Sequence, residues 1–466
     1  MTLLDASLMI IYLFICLFIG SHIKNNNRRN PLYRKWFMPG LRLKLFFSIA
    51  YALVYTYYYE YGGDTKGYYN DAMRVIDALS YGPVVFYEVL SREYANVSSE
   101  ALNITALMVY DAPMEYYTVN ISSFFVFLGF GSYFSANLLI ALFSYWGCWH
   151  FFLLLVEKFP KIEKQMAFSI LFIPSVVFWG SGLNKDTFIL CFVGLFLYYL
   201  NKVLNGRVFN FKGIVIIVVS AFLIFKIKAY VLISLVPAVL VWRTLYLRDR
   251  IKIRWIKGLV LPVFGSIAII AVVYALNILG QYNKRYSVDS FVSTAQSMQG
   301  WHYVEGKNTS EQYGRGSSYS LGDYEETTVG LLKIFPAAVN VTYFRPYIWE
   351  VKNAAMLAQA LESLAFLLFS VFIVLKVGPF KFYKIMSNDS FILMCLVFAI
   401  FFGFAVGFSS YNFGALSRYK IPCVPFYIAA LFIIYHKYQE ERKRKFQAIE
   451  MRRQSRRNMV VPGFSS

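Results

Sequence analysis

The stretch Leu45-Phe-Phe-Ser-Ile-Ala-Tyr-Ala-Leu-Val-Tyr-Thr-Tyr-Tyr-Tyr-Glu60-Tyr-Gly-Gly-Asp64-Thr-Lys66-Gly-Tyr68-Tyr69-Asn70-Asp71-Ala72 joins an apolar run to a polar one. The apolar run has the length and composition of a membrane helix. Gly62-Gly63 ends it and lets the backbone turn sharply. From Asp64 the pattern is helical again. Asp64, Tyr68 and Asp71 stand at i, i+4 and i+7, so they share one face of a short helix. A carboxylate at the lip of a membrane helix suits acid–base chemistry on a lipid-borne substrate. A solvated aspartate that starts a helix accounts for Asp64 equally well.

Outward from this stretch the same alternation repeats. The chain has 466 residues, 58% of them hydrophobic and 19% aromatic, and a mean hydropathy of +0.50. The excess over a soluble protein comes in blocks of roughly 16–22 residues, enough to span a bilayer as helix. Short alternating strands, the mark of a membrane β-barrel, do not occur. The sequence therefore predicts an all-α polytopic membrane protein. The start does not read as a cleaved signal peptide, because Asp5 replaces a basic opening and Asn25-Asn26-Asn27-Arg28-Arg29 follows the first apolar run.

The formal net charge of +20 would point to nucleic acid in a soluble chain. Here the excess flanks apolar segments, the positive-inside pattern, so no nucleic-acid partner is expected. The tail 437–466, with Arg442 to Lys445 and Arg452, Arg453, Arg456 and Arg457, reads as a cytoplasmic segment facing anionic lipid. Spans are expected near 7–22, 45–60, 135–156, 166–181, 187–202, 213–225, 230–243, 258–280, 355–376, 390–408 and 420–436. That gives about eleven (10–13), with the N-terminus outside and the C-terminus cytoplasmic. Residues 1–436 form the membrane domain, with large outer loops at 60–120 and 281–354 that carry short amphipathic helices. Residues 121–131, apolar but short, suit an interfacial piece.

The five cysteines lie in or beside apolar segments and read as core residues. The four histidines are scattered, and no metal-ligand cluster is visible. The tyrosines at 55, 57, 58, 59 and 61 fit an aromatic belt. His302 and Arg315 read as solvated loop residues, and Asn96-Val-Ser and Asn103-Ile-Thr match the glycosylation pattern, which is frequent by chance.

Under this topology the unusual polar residues gather on the outer side: Asp64, Lys66 and Asp71; Lys185 and Asp186; Lys226 and Lys228; Arg345 and Glu350; Arg418 and Lys420. Cations there run against the positive-inside trend. Either they neutralise the neighbouring carboxylates, or they bind an anionic substrate such as a lipid-linked phosphate.

An acidic residue in a large outer loop just after a span, followed by a short helix, resembles the GT-C superfamily of integral-membrane glycosyltransferases. Pro174-Ser-Val-Val-Phe-Trp179-Gly-Ser-Gly-Leu-Asn184-Lys185-Asp186 is similar to a turn of bacterial proteins of this type. So are Phe344-Arg345-Pro346 with Trp349-Glu350, and Arg418-Tyr-Lys420-Ile-Pro422. O-antigen and exopolysaccharide polymerases share the layout. Two departures stand out: the acidic loop follows the second span, and Asp64 is followed by Thr65, so the usual acidic dipeptide is absent.

The resemblance implies that Asp64 removes a proton from an acceptor hydroxyl, with Asp71 as the second catalytic candidate. It implies that Lys185, Arg345, Arg418 and Lys420 meet the phosphate of a polyprenyl-phosphate- or diphosphate-linked sugar. Lys66, Tyr68, Asp186, Trp349 and Glu350 would support them. The acceptor would be a glycan or lipid, and the site would lie in a bacterial inner membrane among membrane lipids. No cofactor follows with certainty, and a divalent metal, Mg or Mn, is left open. A lipid or polysaccharide transporter is the alternative; the sequence shows neither an internal repeat nor many midspan charges, both expected of one.

Overall fold

The computed structural model describes residues 1–59, 63–92, 97–110, 113–206, 211–248, 317–322 and 328–459. The expected span at 258–280, His302, Arg315, Asn96, and Glu60 to Gly62 lie outside the described residues. Within them the chain is helical, and the only bridge between extended segments joins Ser318 to Asn412.

Helix α1 is Leu3–Asn26 and opens on a capping box between Thr2 and Asp5. Helix α2 is Met38–Tyr57. Four shorter helices follow in the first loop region: α3 (Gly63–Asp77), α4 (Pro83–Ser91), α5 (Ser99–Ala106) and α6 (Pro113–Leu128). The expected interfacial piece at 121–131 is thus the second half of a longer helix, which packs on α3 and α7 (Tyr133–Lys158).

Helix α8 (Glu163–Ala167), a π turn over Phe168–Phe172 and α9 (Pro174–Trp179) replace the span expected at 166–181. Pro174 is the reason. It pushes Ile173 into extended backbone (φ −71°, ψ 124°) and divides the run. Helix α10 is Lys185–Asn205, capped by Asn184, and α11 is Phe211–Arg248. Helices α12 (Thr328–Phe344), α13 (Ala354–Val377), α14 (Pro379–Ser387), α15 (Ser390–Ser410), α16 (Phe413–Tyr419) and α17 (Val424–Met459) complete the chain.

Among the described residues seven helices are long and apolar enough to cross a membrane: α1, the second (with the π turn before it), α7, α10, α11, α13 and α15. The pair α16–α17, bent by 65°, makes an eighth if counted as one span. Of the eleven expected spans, Pro174 breaks one, one lies outside the described residues, and two fall within the single helix α11. A straight helix of 38 residues would reach about 57 Å. Instead α11 breaks at Lys228 (φ −149°, ψ 79°). Arg243 donates to Asn205 Oδ1 and Leu204 O, each at 3.0 Å, so both ends of α11 lie at one end of α10. Lys228 reaches Asp186 at the other end of α10. The helix is therefore a hairpin of two legs, close to the two segments read from sequence.

Ion pairs separate the two ends of the bundle. At the tail end are Lys35–Glu163, Lys161–Glu440, Lys381–Glu441, Lys437–Asp389 and Lys202–Glu157. At the opposite end are Asp64, Glu115, Lys185, Asp186, Lys228 and Arg418. The apolar core between them is close-packed. Gly147 and Gly194 let α7 and α10 approach until a Cβ on Gly147 would stand 2.2 Å from the Cys191 carbonyl oxygen. The five cysteines are free and buried in this core.

Candidate functional site: a charge network between broken helices

The site begins with the turn before α10. Asn184 caps the helix by accepting from Thr187 N (2.9 Å) and donates to the Trp179 carbonyl (2.9 Å). Asn137 Oδ1 accepts from Leu183 N at 2.8 Å. Two donors converge on the Gly180 carbonyl: Ser144 at 3.1 Å and the Lys44 ammonium at 2.6 Å. Lys44, whose sequence neighbours place it in a basic loop, is instead buried inside α2 and serves the C-terminus of α9. Gly182 lets the turn pack against Tyr51: a Cβ would lie 2.1 Å from that ring, so any side chain there forces a shift.

This fixed turn aims two adjacent side chains about 100° apart. Lys185 pairs with Glu115 of α6 at 2.5 Å. Asp186, 1% exposed, pairs with Lys228 at 2.5 Å and lies 3.6 Å from Arg418 Nε. The Lys228 ammonium also sits 4.3 Å over the Tyr419 ring.

Arg418, near the end of α16, is shared. Its Nη2 donates to Asp64 Oδ2 at 2.7 Å, while its Nε is buried without a hydrogen bond. Asp64 stands at the start of α3, just after Gly63 (φ +52°), and its side chain is 47% exposed. The Tyr110 hydroxyl donates to Asp64 Oδ1 at 3.4 Å. Burial disfavours the ionised Asp64 carboxyl, but the charge and hydrogen bond of Arg418 outweigh it, and the group is held below the ordinary aspartate range. Burial raises the Tyr110 hydroxyl, and the Asp64 charge adds to the effect.

Asp71 has a different position from Asp64. It is fully buried and accepts from Tyr110 N (2.9 Å), Val109 N (3.1 Å) and Arg74 Nη1 (2.8 Å). A carboxylate so occupied is a strut. It holds the segment that presents Tyr110, against which Tyr68 stacks at 4.3 Å. Lys66 turns elsewhere, 3.6 Å over the Tyr133 ring.

Arg345 and Glu350 form a pair at the other end of α16. Arg345 Nε lies 3.1 Å from both Glu350 oxygens, and the guanidinium is 5.5 Å from the Phe413 ring centre. Burial raises the Glu350 carboxyl, but the hydrogen bonds from Arg345 and Tyr347 N and the Arg345 charge outweigh it, so the net shift is downward. Trp349, 81% exposed, stacks on Tyr347 at 4.8 Å. Phe413 and Arg418 are separated by about 7.5 Å of helix, so α16 links this pair to the Asp64 network. Lys420, 2% exposed, lies at the bend after α16, 5.9 Å from the Phe366 ring centre.

The structure thus joins Asp64, Lys185, Asp186 and Arg418 into one region, sets Arg345, Trp349 and Glu350 beside it, and turns Lys66 and Asp71 away. It adds Glu115, Tyr110 and Glu362, which sequence reasoning did not single out. Glu362 had a signal, since it stands alone in an apolar helix. Mutual pairing accounts for the contacts of Lys185, Arg345 and Arg418, each of which has a carboxylate partner.

A divalent metal fits poorly here. Among the described residues no three metal-ligating side chains converge, and Arg418 stands between Asp64 and Asp186. Comparison with known protein families, with curated proteins and with solved structures finds no match.

Proposed function

We propose that the protein is a membrane glycosyltransferase of GT-C-like layout, acting on a polyprenyl-phosphate- or diphosphate-linked sugar at the outer leaflet of a bacterial inner membrane. The observation that carries this reading is the half-exposed Asp64 carboxylate, hydrogen-bonded to recessed Arg418 at the rim of a charge network set among apolar helices. A base must reach its substrate, and Asp64 is the exposed member of the network. A phosphate leaving group needs fixed positive charge in the transition state, and Arg418 is largely but not fully buried and always charged.

In this reaction the acceptor hydroxyl gives its proton to Asp64. Its oxygen attacks the anomeric carbon, the bond from that carbon to the phosphate oxygen breaks, and the released phosphate takes Arg418 from Asp64. One displacement inverts the sugar carbon. The acceptor is a glycan or a lipid, and a glycan acceptor made of repeat units would make the protein a polymerase.

A transporter is the second reading. Helices α9 and α16 are short and discontinuous, and Lys44, Glu362 and Lys420 lie within the spans, features found at transport sites. Purified protein in liposomes with decaprenyl-phosphate-linked sugars separates the two. Sugar transfer that is lost in Asp64→Asn supports the enzyme. Lipid translocation without transfer supports the transporter, and full transfer by Asp64→Asn removes Asp64 as the base.

A further inference from the structure

Gln359, Glu362 and Phe366 stand at i, i+3 and i+7 on α13 and so share one face. Glu362 lies about 12 Å along the helix from Ala354. Its Oε2 accepts from the Ser175 backbone N–H at 2.9 Å, which joins α13 to α9. Lys420 meets the same face from the bend between α16 and α17, with its ammonium beside the Phe366 ring.

The groups around this junction are incompletely satisfied. Lys420, buried as it is, has neither a hydrogen bond nor an ion pair among the described residues. Ser175 Oγ and Gln359 Oε1 are buried without a partner. Buried polar atoms are normally paired, so these two orphans, with the Lys420 ammonium on the same face, mark a place for a polar occupant. By contrast Lys44, Lys185, Lys228, Arg345 and Arg418 each find an oxygen in the protein.

The donor set selects the occupant. A phosphate would satisfy Lys420 but would meet the Glu362 carboxylate. A free cation would meet the Lys420 ammonium. A neutral hydroxyl accepts from Lys420 and donates to Gln359 Oε1 or Glu362, and so satisfies both kinds of group. The junction also adjoins both charged pairs: Ser363, next to Glu362, donates to the Arg345 carbonyl at 3.0 Å, and Lys420 is two residues beyond Arg418.

We propose that Ser175, Gln359, Glu362 and Lys420 form a hydroxyl-binding subsite that holds the sugar ring of the lipid-linked donor, an inference that rests on the glycosyl-transfer reading. The test uses the full chain in lipid nanodiscs. Equilibrium binding is measured for decaprenyl phosphate and for decaprenyl phosphate carrying glucose, galactose, mannose or N-acetylglucosamine.

The wild type should bind at least one glycosylated lipid about tenfold more tightly than the bare lipid, the discrimination expected of a site that hydrogen-bonds a hydroxyl. Lys420→Met and Gln359→Leu should shrink that preference to within about twofold. Gln359 is half-buried, so its variant keeps the test alive if Lys420→Met fails to fold. A preference retained in Gln359→Leu overturns the subsite. So does a Lys420→Met that weakens both lipids equally, which marks a phosphate site, and so does a wild type that binds both lipids alike, which marks a water-filled junction. A wild type that binds neither removes the glycosyl-transfer reading together with the subsite.

Discussion

Arg418 Nη2 lies 2.7 Å from Asp64 Oδ2, across 354 positions of sequence. The same guanidinium approaches Asp186 with its Nε at 3.6 Å. One arginine thus ties the first loop helix to the start of α10, and a ligand that takes Arg418 changes the hydrogen bonding of Asp64 directly.

The pH profile of transfer should carry this contact. The Asp64 carboxyl lies below its ordinary value of 3.8, because Arg418 overcomes the opposing effect of burial. A depressed carboxyl stays ionised as pH falls to that value and protonates only below it. Its contribution to stability is therefore present above the ordinary value and is lost as pH drops through the folded one. The acid limb of the rate profile should lie below pH 3.8 in the wild type and move upward in Arg418→Gln. A limb that does not move separates Arg418 from the base.

Asp71 should behave as a structural carboxylate. Removing it in Asp71→Ala leaves Val109 N, Tyr110 N and Arg74 without their acceptor. The expected loss is about 2–3 kcal/mol, for bonds to a charged group, read as a lowered thermal midpoint. Asp64→Asn should leave the midpoint nearly unchanged while transfer is lost. Equal midpoints in the two variants would contradict the division of roles.

Lys228 and Asp186 are 6% and 1% exposed in their side chains and pair at 2.5 Å. Breaking such a pair from one side costs about 3–5 kcal/mol, because the other charge stays buried. Lys228→Met and Asp186→Leu should each destabilise strongly. The double variant should recover much of the loss, a coupling that a double-mutant cycle of thermal midpoints measures. Additive losses would mean that the two residues do not share one environment.

Gly182→Ala places a methyl group 2.1 Å from the Tyr51 ring. Overpacking of this kind costs about 1–3 kcal/mol. Because the turn also aims Lys185 and Asp186, transfer should fall together with the thermal midpoint. Combining Gly182→Ala with Tyr51→Ala should return part of the transfer rate, since the clash is with that ring.

The residues of the network were visible one by one in the sequence, but their partners were not. Lys185 and Asp186 are adjacent in the chain and were expected to neutralise each other or meet a ligand. Helical geometry sends them apart, one to Glu115 and the other to Lys228 and Arg418. Asp64 and Asp71 share a helix face by spacing, yet only Asp64 remains exposed, because the 109–110 backbone covers Asp71. Glu362 stands alone in an apolar helix, but its partner Ser175 is 187 positions away, a contact no local spacing shows.

The apolar runs by themselves determined that this is an all-helical chain built of membrane-length segments, and the charges beside them separated its two ends. Those properties are local: a run of about twenty apolar residues must hydrogen-bond its own backbone wherever it sits in lipid. Only the tertiary structure decided that Pro174 breaks one run, that α11 folds back at Lys228, and that α16 gathers Arg418 and Phe413 beside acids and bases from distant helices. Which buried cation meets which carboxylate depends on how helices pack across hundreds of residues, and no local spacing encodes that.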